Sequence, residues 1–580
     1  MIKEYRSPPV TGENALLYYE PIVNALMAYD PSLAAEDIAF NAPPSLEMGD
    51  VAIPMFSIAK KRKTAPAVLA QEIAAKVNFG AYVSSAAAAG PYVNLKLDRN
   101  RVGYEITRAV LKAGTQWGGG GTGKGKRVLI EHTSINPNAS PHVGRGRCAM
   151  IGDSVTRLLR FEGYDVEVHY YVNDMGRQIG LLVLVAEELE GITFDEILDA
   201  YVTANKRAEE DPEFAARGYE MLARIEAGDS GIKEKFFRVT ELCLKGQLKV
   251  LQRLGAQYDF FDHESAYVND PRLAVIEEAL EKKGALFTDE DGRRVVDLSR
   301  LGYPLEEGRY FVLRRANGSS MYGCRDLLYS LDKHERGADV NLMVLGEDHK
   351  LYAQQMALIL EAAGIAAPEV VYYSYILLSD GKMSTRQGKV VLLSDFLDQA
   401  AALALQRVME QFPDLPADEH RQIAEQVAVS AIRFAVLRVK PTKNVIFDME
   451  SALSFQGDTG PYVQYCCARI RSILRKWGRP VPDPVPETFI ADTDSEWALL
   501  NAMAAFPKVI TESAAQRNCA QVANYMLDLA HAFTGFYHEC QVLSSQDEAR
   551  LHSRLQLCRA ALYTLSNALG ILGIDTPERM

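Results

Sequence analysis

The sequence predicts an α/β protein in three parts: a parallel-sheet domain carrying a helical insertion, a small α+β domain before it, and an all-α domain after it. Three observations carry this. Strand-like apolar runs followed by amphipathic helices occur at 127–172 and again at 340–364, the pattern of βαβ units. Residues before 115 mix short helical periods with the alternating run "YVNLKL". Beyond about 395 helical periodicity is almost unbroken. With 580 residues, the chain also exceeds the roughly 250–300 residues at which a single core stops growing.

Taken in order, "VLAQEIAAKV" and "YEITRAVLKAG" are helices around "YVNLKL", and 1–115 is the first domain. In "QWGGGGTGKGK" four consecutive glycines are costly to order, so 116–126 reads as a flexible connector. A phosphate-cradling loop would need a strand before it and a helix after it, and here the strand "RVLIEHT" follows instead. In "VGRGRCAMIGDSVTRLLRFEG", Met150, Ile151, Val155, Leu158, Leu159 and Phe161 share one helical face, and Gly163 suits the left-handed residue that ends a helix. "YDVEVHYYV" completes a βαβ unit, whose ligands belong at the carboxyl ends of the strands. Residues 183–262 read as a helical insertion, "GALFTDEDGRRVVDL" as a hairpin turning at Asp-Gly, and 127–395 as the whole α/β domain. A helical junction at 396–450 and a helical domain at 451–580 follow.

A hydrophobic share of 48% and a charged share of 24% are those of a soluble globular enzyme. A net charge of −13 argues against non-specific coating of nucleic acid but leaves room for a local basic face. None of the eight cysteines falls in a C-x-x-C pair, so buried free thiols in a reducing compartment are expected and zinc is not. No stretch approaches the roughly 20 apolar residues of a membrane span, and the expectation is a cytoplasmic protein without membrane association.

Chemistry is concentrated in two segments. "PHVGRGR" (141–147) lies between a strand and a helix, where free N–H groups and the positive end of the helix dipole face a ligand. His142 adds a ring donor, Gly144 lets a flat base approach the backbone, and Arg145 and Arg147 add charge able to fork onto phosphate oxygens. An ordinary surface loop with incidental basic residues is the plainer alternative. "SDGKMSTRQGKVV" (379–391) is a basic, hydroxyl-rich loop suited to closing over phosphates and stabilising a leaving pyrophosphate. Two phosphate elements flanking a split α/β domain point to attack on an α-phosphate.

At these residues the chain resembles the class I aminoacyl-tRNA synthetases, and among them the arginyl-tRNA synthetase family. "PHVGR" is similar to the HIGH motif of that class and "KMSTR" to its KMSKS motif. Further likenesses run from "LEMGDVAIPMFSIAK" through "YYVNDMGRQIG", "MYGCRDL" and "GEDHKLYAQQ" to "SFQGDTGPYVQYCCARI". The chain departs from the pattern at Arg145, where HIGH ends in a second histidine, and at Thr385-Arg386 in the second motif. The resemblance implies a Rossmann-like catalytic domain and activation of L-arginine by ATP with Mg²⁺. It implies transfer to the 2′-hydroxyl of the terminal adenosine of tRNA(Arg), with bound tRNA needed even for the first step. A small-molecule nucleotidyltransferase and a non-catalytic RNA-binding relative are the rival readings.

The resemblance also implies the site. Glu131, Tyr322 and Asp326 would bind the guanidinium of the substrate, and Asn136, Gln355 and Ser134 its amino-acid end. Pro141, His142, Gly144, Lys382 and Met383 would bind ATP, with Arg145, Ser384 and Arg386 joining His142, Gly144 and Lys382 in catalysis. For either carboxylate, a salt bridge to a neighbour such as Arg325 is the plainer role. Lys60 and Lys61 in the first domain, and Tyr462, Gln464, Tyr465 and Arg469 in the last, are the expected tRNA contacts. No protein-bound metal site is expected, and the chain is expected to act as a monomer.

Overall fold

The computed structural model describes residues 18–138, 140–188, 192–304, 307–316, 318, 320–378 and 391–580. The first domain packs helices α1 (Tyr19–Tyr29), α2 (Phe56–Arg62) and α3 (Pro66–Lys76) on an antiparallel sheet of β1 (Val51–Pro54), β2 (Val83–Ala89) and β3 (Tyr92–Leu97), with β3 central. Pro66 opens α3, where a missing N–H costs nothing. The chain leaves through α4 (Arg99–Ala113), whose amino end is capped by the Asp98 carboxylate accepting from Arg101 N.

The second domain is built on five parallel strands in the order β11 (Glu369–Tyr373), β10 (Val340–Gly346), β4 (Arg127–Glu131), β5 (Asp165–Val172) and β6 (Phe260–His263). From β4 the chain runs outward to β5 and β6; its second half fills the other side with β10 and β11. The crevice at the carboxyl ends of β4 and β10 is therefore the topological switch point where ligands bind in open α/β sheets. Both faces are covered, so Val128, Leu129 and Ile130 are all buried. Helix α5 (Val143–Phe161) follows β4 and ends before Gly163 at φ +86°. Gly152 lets α5 meet the chain after β4, since a Cβ there would lie 2.2 Å from His132 Cγ. Burial holds the His132 imidazole down to about 4, so the ring is neutral.

Helices α6 (Arg177–Glu188), α7 (Phe194–Glu210), α8 (Pro212–Glu226) and α9 (Ser230–Arg253) form the insertion around a core of their own. After β6 come α10 (Leu273–Lys282) and an antiparallel sheet of β7 (Leu286–Thr288), β8 (Arg294–Asp297) and β9 (Tyr310–Arg314). The expected hairpin thus gains a third strand. Helix α11 (Tyr322–Glu335) precedes β10, and α12 (Lys350–Ala362) follows it. The short strand β12 (Ile376–Leu378) pairs in parallel with β13 (Val445–Phe447). Between those strands stand α13 (Leu393–Gln411) and α14 (Ala417–Leu437), and after them α15 (Met449–Ala452), α16 (Gly460–Trp477), α17 (Asp494–Ala515), α18 (Ala520–Glu539) and α19 (Glu548–Ile571). No helix among the described residues is long and apolar enough to cross a membrane.

The glycine-rich segment is not a flexible connector. Gly118, at φ +102°, lies against Phe506, and Gly119 against the Phe161 carbonyl. Gly120 N and Thr122 Oγ1 both donate to the buried Glu162 carboxylate. A Cβ on Gly123 would fall 2.1 Å from the Tyr164 ring. These glycines are needed because backbone touches side chains from α5 and α17. Asn567 on α19 then binds the Gly114 and Trp117 carbonyls, at 3.1 and 3.0 Å.

Arg433 of α14 is fully buried at the junction of the domains. It donates to Asp153 Oδ2 (2.6 Å) and Ser154 Oγ (3.0 Å) on α5, and to the Leu254 and Leu572 carbonyls that end α9 and α19. All eight cysteines are buried and unpaired, and burial raises the Cys148 thiol to about 11 and those of Cys467, Cys519 and Cys558 to about 12.

Substituting Gly123→Ala is expected to lower stability by about 1–3 kcal/mol through overpacking. Gly535→Ala, in open space on α18, is expected to raise it by up to about 1 kcal/mol. Urea unfolding of the two variants checks both signs.

Candidate active site

The first turn of α5 is fixed by the chain on either side of 379–390. Leu393 N donates to Pro141 O (2.7 Å) and Val143 N to Val391 O (3.1 Å), so the His142 segment pairs with 391–393. Arg147, one turn further, is fully buried. Its guanidinium donates to the carbonyls of Ser374, Tyr375, Lys440, Pro441 and Lys443 at 2.5–3.4 Å. Burial lowers its pKa to about 10, which leaves it cationic at neutral pH. The expectation that Arg147 serves phosphates is therefore corrected: it binds main-chain oxygens and holds the strand that leads into residue 379. Lys382, Met383, Ser384 and Arg386 lie outside the described residues.

His142 faces solvent at the amino end of α5, and Gly144 lies beneath its ring, where a Cβ would sit 3.0 Å from Cε1. Atoms crowding part of the ring, and then the Arg145 charge, hold the imidazole below its ordinary pKa. Arg145 makes no ion pair among the described residues.

The second half of the site is a stripe on α11. Tyr322, Asp326, Tyr329 and Lys333 follow the spacing i, i+4, i+7, i+11 and so share one face. Lys333 Nζ, wholly enclosed, donates to Glu131 Oε2 at 2.7 Å and stands 4.2 Å from the centre of the Tyr329 ring. Tyr329 stacks on Tyr171 of β5. Asp326 accepts from the Tyr352 hydroxyl at 2.6 Å and has no cationic partner among the described residues. Burial pushes its carboxyl above the ordinary value; the Tyr352 bond offsets part of this and the Glu131 charge adds to it. The Tyr171 hydroxyl is buried beside Asp326 and, with the Tyr352 bond, works to lower that carboxyl. Arg325 pairs instead with Glu264, at 2.6 Å and buried.

Ser134 Oγ lies 3.4 Å from Glu131 Oε1 and accepts from Tyr171 N. It follows Thr133, and both have positive φ, +79° and +41°. Two consecutive non-glycine residues in this region mark strain of the kind that clusters at functional sites. Thr133 is held by His132 Nδ1 (2.7 Å) and Tyr258 Oη (2.8 Å). A cavity of about 330 Å³ opens alongside, lined by Asn136, Asn173, Arg177, Tyr219, Tyr322 and Arg325 among others. Asn136 and Tyr322 thus meet there, whereas Glu131, Asp326 and Gln355 are not among its lining residues. Gln355 is buried and donates to Gly308 O at 2.6 Å.

The residues expected on the tRNA face are divided. Lys60 and Lys61 are exposed on α2, Lys61 bound to Asp37 at 2.6 Å. The Arg469 guanidinium lies over two tyrosine rings, Tyr465 (4.7 Å) and Tyr537 (4.6 Å), at the surface of the last domain. Tyr462 turns its hydroxyl to Thr534. Gln464 is corrected: it is fully enclosed and donates to Gln426 O and Asp575 O, so it clamps helices rather than facing a partner. Arg471 and Arg475 of the same basic helix bind the chain at 576–578.

Sequence comparison decides the family. Residues 106–449 match the model for class I tRNA synthetases (R), catalytic domain; residues 463–580 match the DALR anticodon binding domain, and 19–97 the arginyl tRNA synthetase N-terminal domain. The arginine–tRNA ligase of Methanothermobacter thermautotrophicus is 35% identical over 553 residues, 94% of this chain and 95% of its own. The chain belongs to the arginyl-tRNA synthetase family. The ligase of Methanopyrus kandleri is 36% identical over 569 residues, 94% of each chain. The structure of Thermus thermophilus arginyl-tRNA synthetase superposes with a TM-score of 0.77 at 28% identity, covering 97% of this chain and 99% of that one. A Plasmodium falciparum arginyl-tRNA synthetase structure shares the fold, with a TM-score of 0.75 at 20% identity and coverage of 98% and 100%. The enzyme is an arginine–tRNA ligase built on a class I catalytic domain.

Lysine cannot reproduce the planar fork of Arg147. In this synthetase Arg147→Lys is expected to cost about 2–4 kcal/mol of stability through unsatisfied carbonyls and to raise KM for ATP at least fivefold, with KM for arginine within twofold. Pyrophosphate exchange and urea unfolding on one preparation measure both.

Proposed function

We propose that arginine and ATP bind together at the carboxyl ends of β4 and β10. The observation that carries this reading is the α11 stripe, which sets the Asp326 carboxylate, without a cationic partner among the described residues, beside the buried Tyr171 hydroxyl of β5 and near Glu131 at the end of β4. A guanidinium offers five donors in a rigid plane and needs acceptors at fixed positions. Asp326 supplies charge, Tyr171 and Tyr322 supply oxygen lone pairs, and Glu131 presents Oε1 beside Ser134. Asn136 and Ser134 hold the amino-acid end. Gln355 joins them by exchanging its bond to Gly308.

ATP, carried as its magnesium complex, lies over the first turn of α5, with Pro141, His142 and Gly144 at its base and Arg145 toward the phosphates. A carboxylate oxygen of arginine attacks the α-phosphorus, the bond to the bridging oxygen breaks, and pyrophosphate leaves. Lys382, Ser384 and Arg386, with Met383 on the nucleotide, stabilise the charge on that leaving group. The 2′-hydroxyl of the terminal adenosine of tRNA(Arg) then attacks the arginyl carbonyl, AMP departs, and its phosphate retains the bond to the former carboxylate oxygen. Rate enhancement comes from positioning and electrostatics without a covalent enzyme intermediate. Lys60, Lys61, Tyr465 and Arg469 meet the tRNA, with Tyr462 supporting that face, and the Tyr465 and Tyr537 rings held by Arg469 suit splayed bases. The enzyme works as a cytoplasmic monomer, and eight buried reduced thiols accord with a reducing compartment.

Removing the pocket's free carboxylate leaves the guanidinium uncompensated, which costs about 2–5 kcal/mol. Asp326→Asn is therefore expected to lower kcat/KM for arginine by about thirty-fold to several thousand-fold, with KM for ATP within twofold. Equal arginine kinetics in that variant would refute the pocket. Arginine-dependent ATP–pyrophosphate exchange is expected with tRNA(Arg) present and little without it; equal rates in both conditions would remove the tRNA requirement.

A further inference from the structure

Lys333 takes no direct part in the proposed chemistry. A wholly buried ammonium is expensive unless paired and hydrogen-bonded, and among the described residues this one meets a single carboxylate oxygen, Glu131 Oε2, at 2.7 Å. The Tyr329 ring covers it at 4.2 Å. Glu131 stands at the carboxyl end of β4, facing the same region as Asp326. Two carboxylates alone in an enclosed site share a proton, because like charges at close range do not both ionise. With Lys333 present, the inner end of the site holds Glu131, Asp326 and Lys333, while Arg325 and Glu264 cancel each other. Those five groups together carry one negative charge, the complement of one guanidinium, while Arg177 and Arg315 line the neighbouring cavity.

We propose that Lys333 is a specificity-determining positioning residue: it neutralises Glu131, holds Oε2 back and leaves Oε1 toward Ser134, so that the inner end of the site presents one net negative charge to a monocationic side chain. This rests on the arginine pocket proposed above. Lys333 touches no substrate; it acts through Glu131. Its place on α11, seven residues beyond Asp326, fixes both charges to one rigid helix.

The test is a double-mutant cycle on the full-length enzyme with tRNA(Arg) present, reading KM for arginine and for ATP in pyrophosphate exchange. Lys333→Met is expected to raise KM for arginine at least tenfold with KM for ATP within twofold, and Lys333→Arg to bring KM for arginine back within about threefold of wild type. In a Glu131→Gln background, Lys333→Met is expected to leave KM for arginine unchanged or lower it, since the group it acts through is gone. A wild-type KM for arginine in Lys333→Met, or an equal rise in both backgrounds, overturns the proposal. Should Lys333→Met alone fail to fold, Glu131→Gln/Lys333→Met removes both charges together and is compared with Glu131→Gln; a further tenfold rise in the double variant then overturns it. If Asp326→Asn leaves arginine kinetics intact, the pocket itself is misplaced. If Asp326→Asn fails and Lys333→Met does not, only the role of Lys333 falls.

Discussion

Enclosing the Arg147 guanidinium removes a charge from water at a cost of several kcal/mol, and five main-chain carbonyls from two separate segments converge to offset it. No carboxylate takes part in that set. The acceptors therefore have to be where they are, and the segments carrying them are fixed with them: the end of β11 and the turn before β13. The first turn of α5 meanwhile grips 391–393 through its own backbone. Both approaches to the KMSTR segment are thus referred to a single helix, the one that also presents His142. The proposed nucleotide site and the two described flanks of residues 379–390 share one mechanical reference.

A second enclosed guanidinium extends that reference across the molecule. Arg433 joins α5 to α14 and to the ends of α9 and α19, which places the insertion and the anticodon-binding domain in contact with the catalytic helix through one buried group. Helix α19 reinforces the link by holding the carbonyls of Gly114 and Trp117. The junction ties the anticodon-binding domain directly to the helix over which ATP is proposed to bind.

Much of the architecture is legible in the chain because the relevant forces are local. The strand–helix periods at 127–172 and 340–364 carry the parallel sheet, and Gly163 marks the end of α5. What escaped was non-local. Strand β9 pairs with β8 across a loop, and nothing in its own short run distinguishes it. The glycines at 118–123 read as slack because composition cannot reveal that α17, almost 400 residues on, presses against them. Arg147 was grouped with Arg145, yet two residues on a helix differ by about 200°, so one points outward and the other into the core. Within the proposed site, family likeness points to Glu131, Tyr322 and Asp326, whereas it singles out none of Lys333, Tyr352 and Tyr171. The Lys333–Glu131 bond spans 202 residues; the one trace available beforehand was the seven-residue step from Asp326 to Lys333 along a helical face.

The burial of every cysteine has a practical corollary. Thiol reagents react through the thiolate; burial hides all eight sulfurs from solvent and pushes Cys148, Cys467, Cys519 and Cys558 far from that form. The folded protein is therefore expected to be silent toward maleimide dyes, so that one cysteine introduced at an exposed position would take a fluorophore alone. Distances between the anticodon-binding and catalytic domains could then be followed by energy transfer without first stripping the native sulfhydryls.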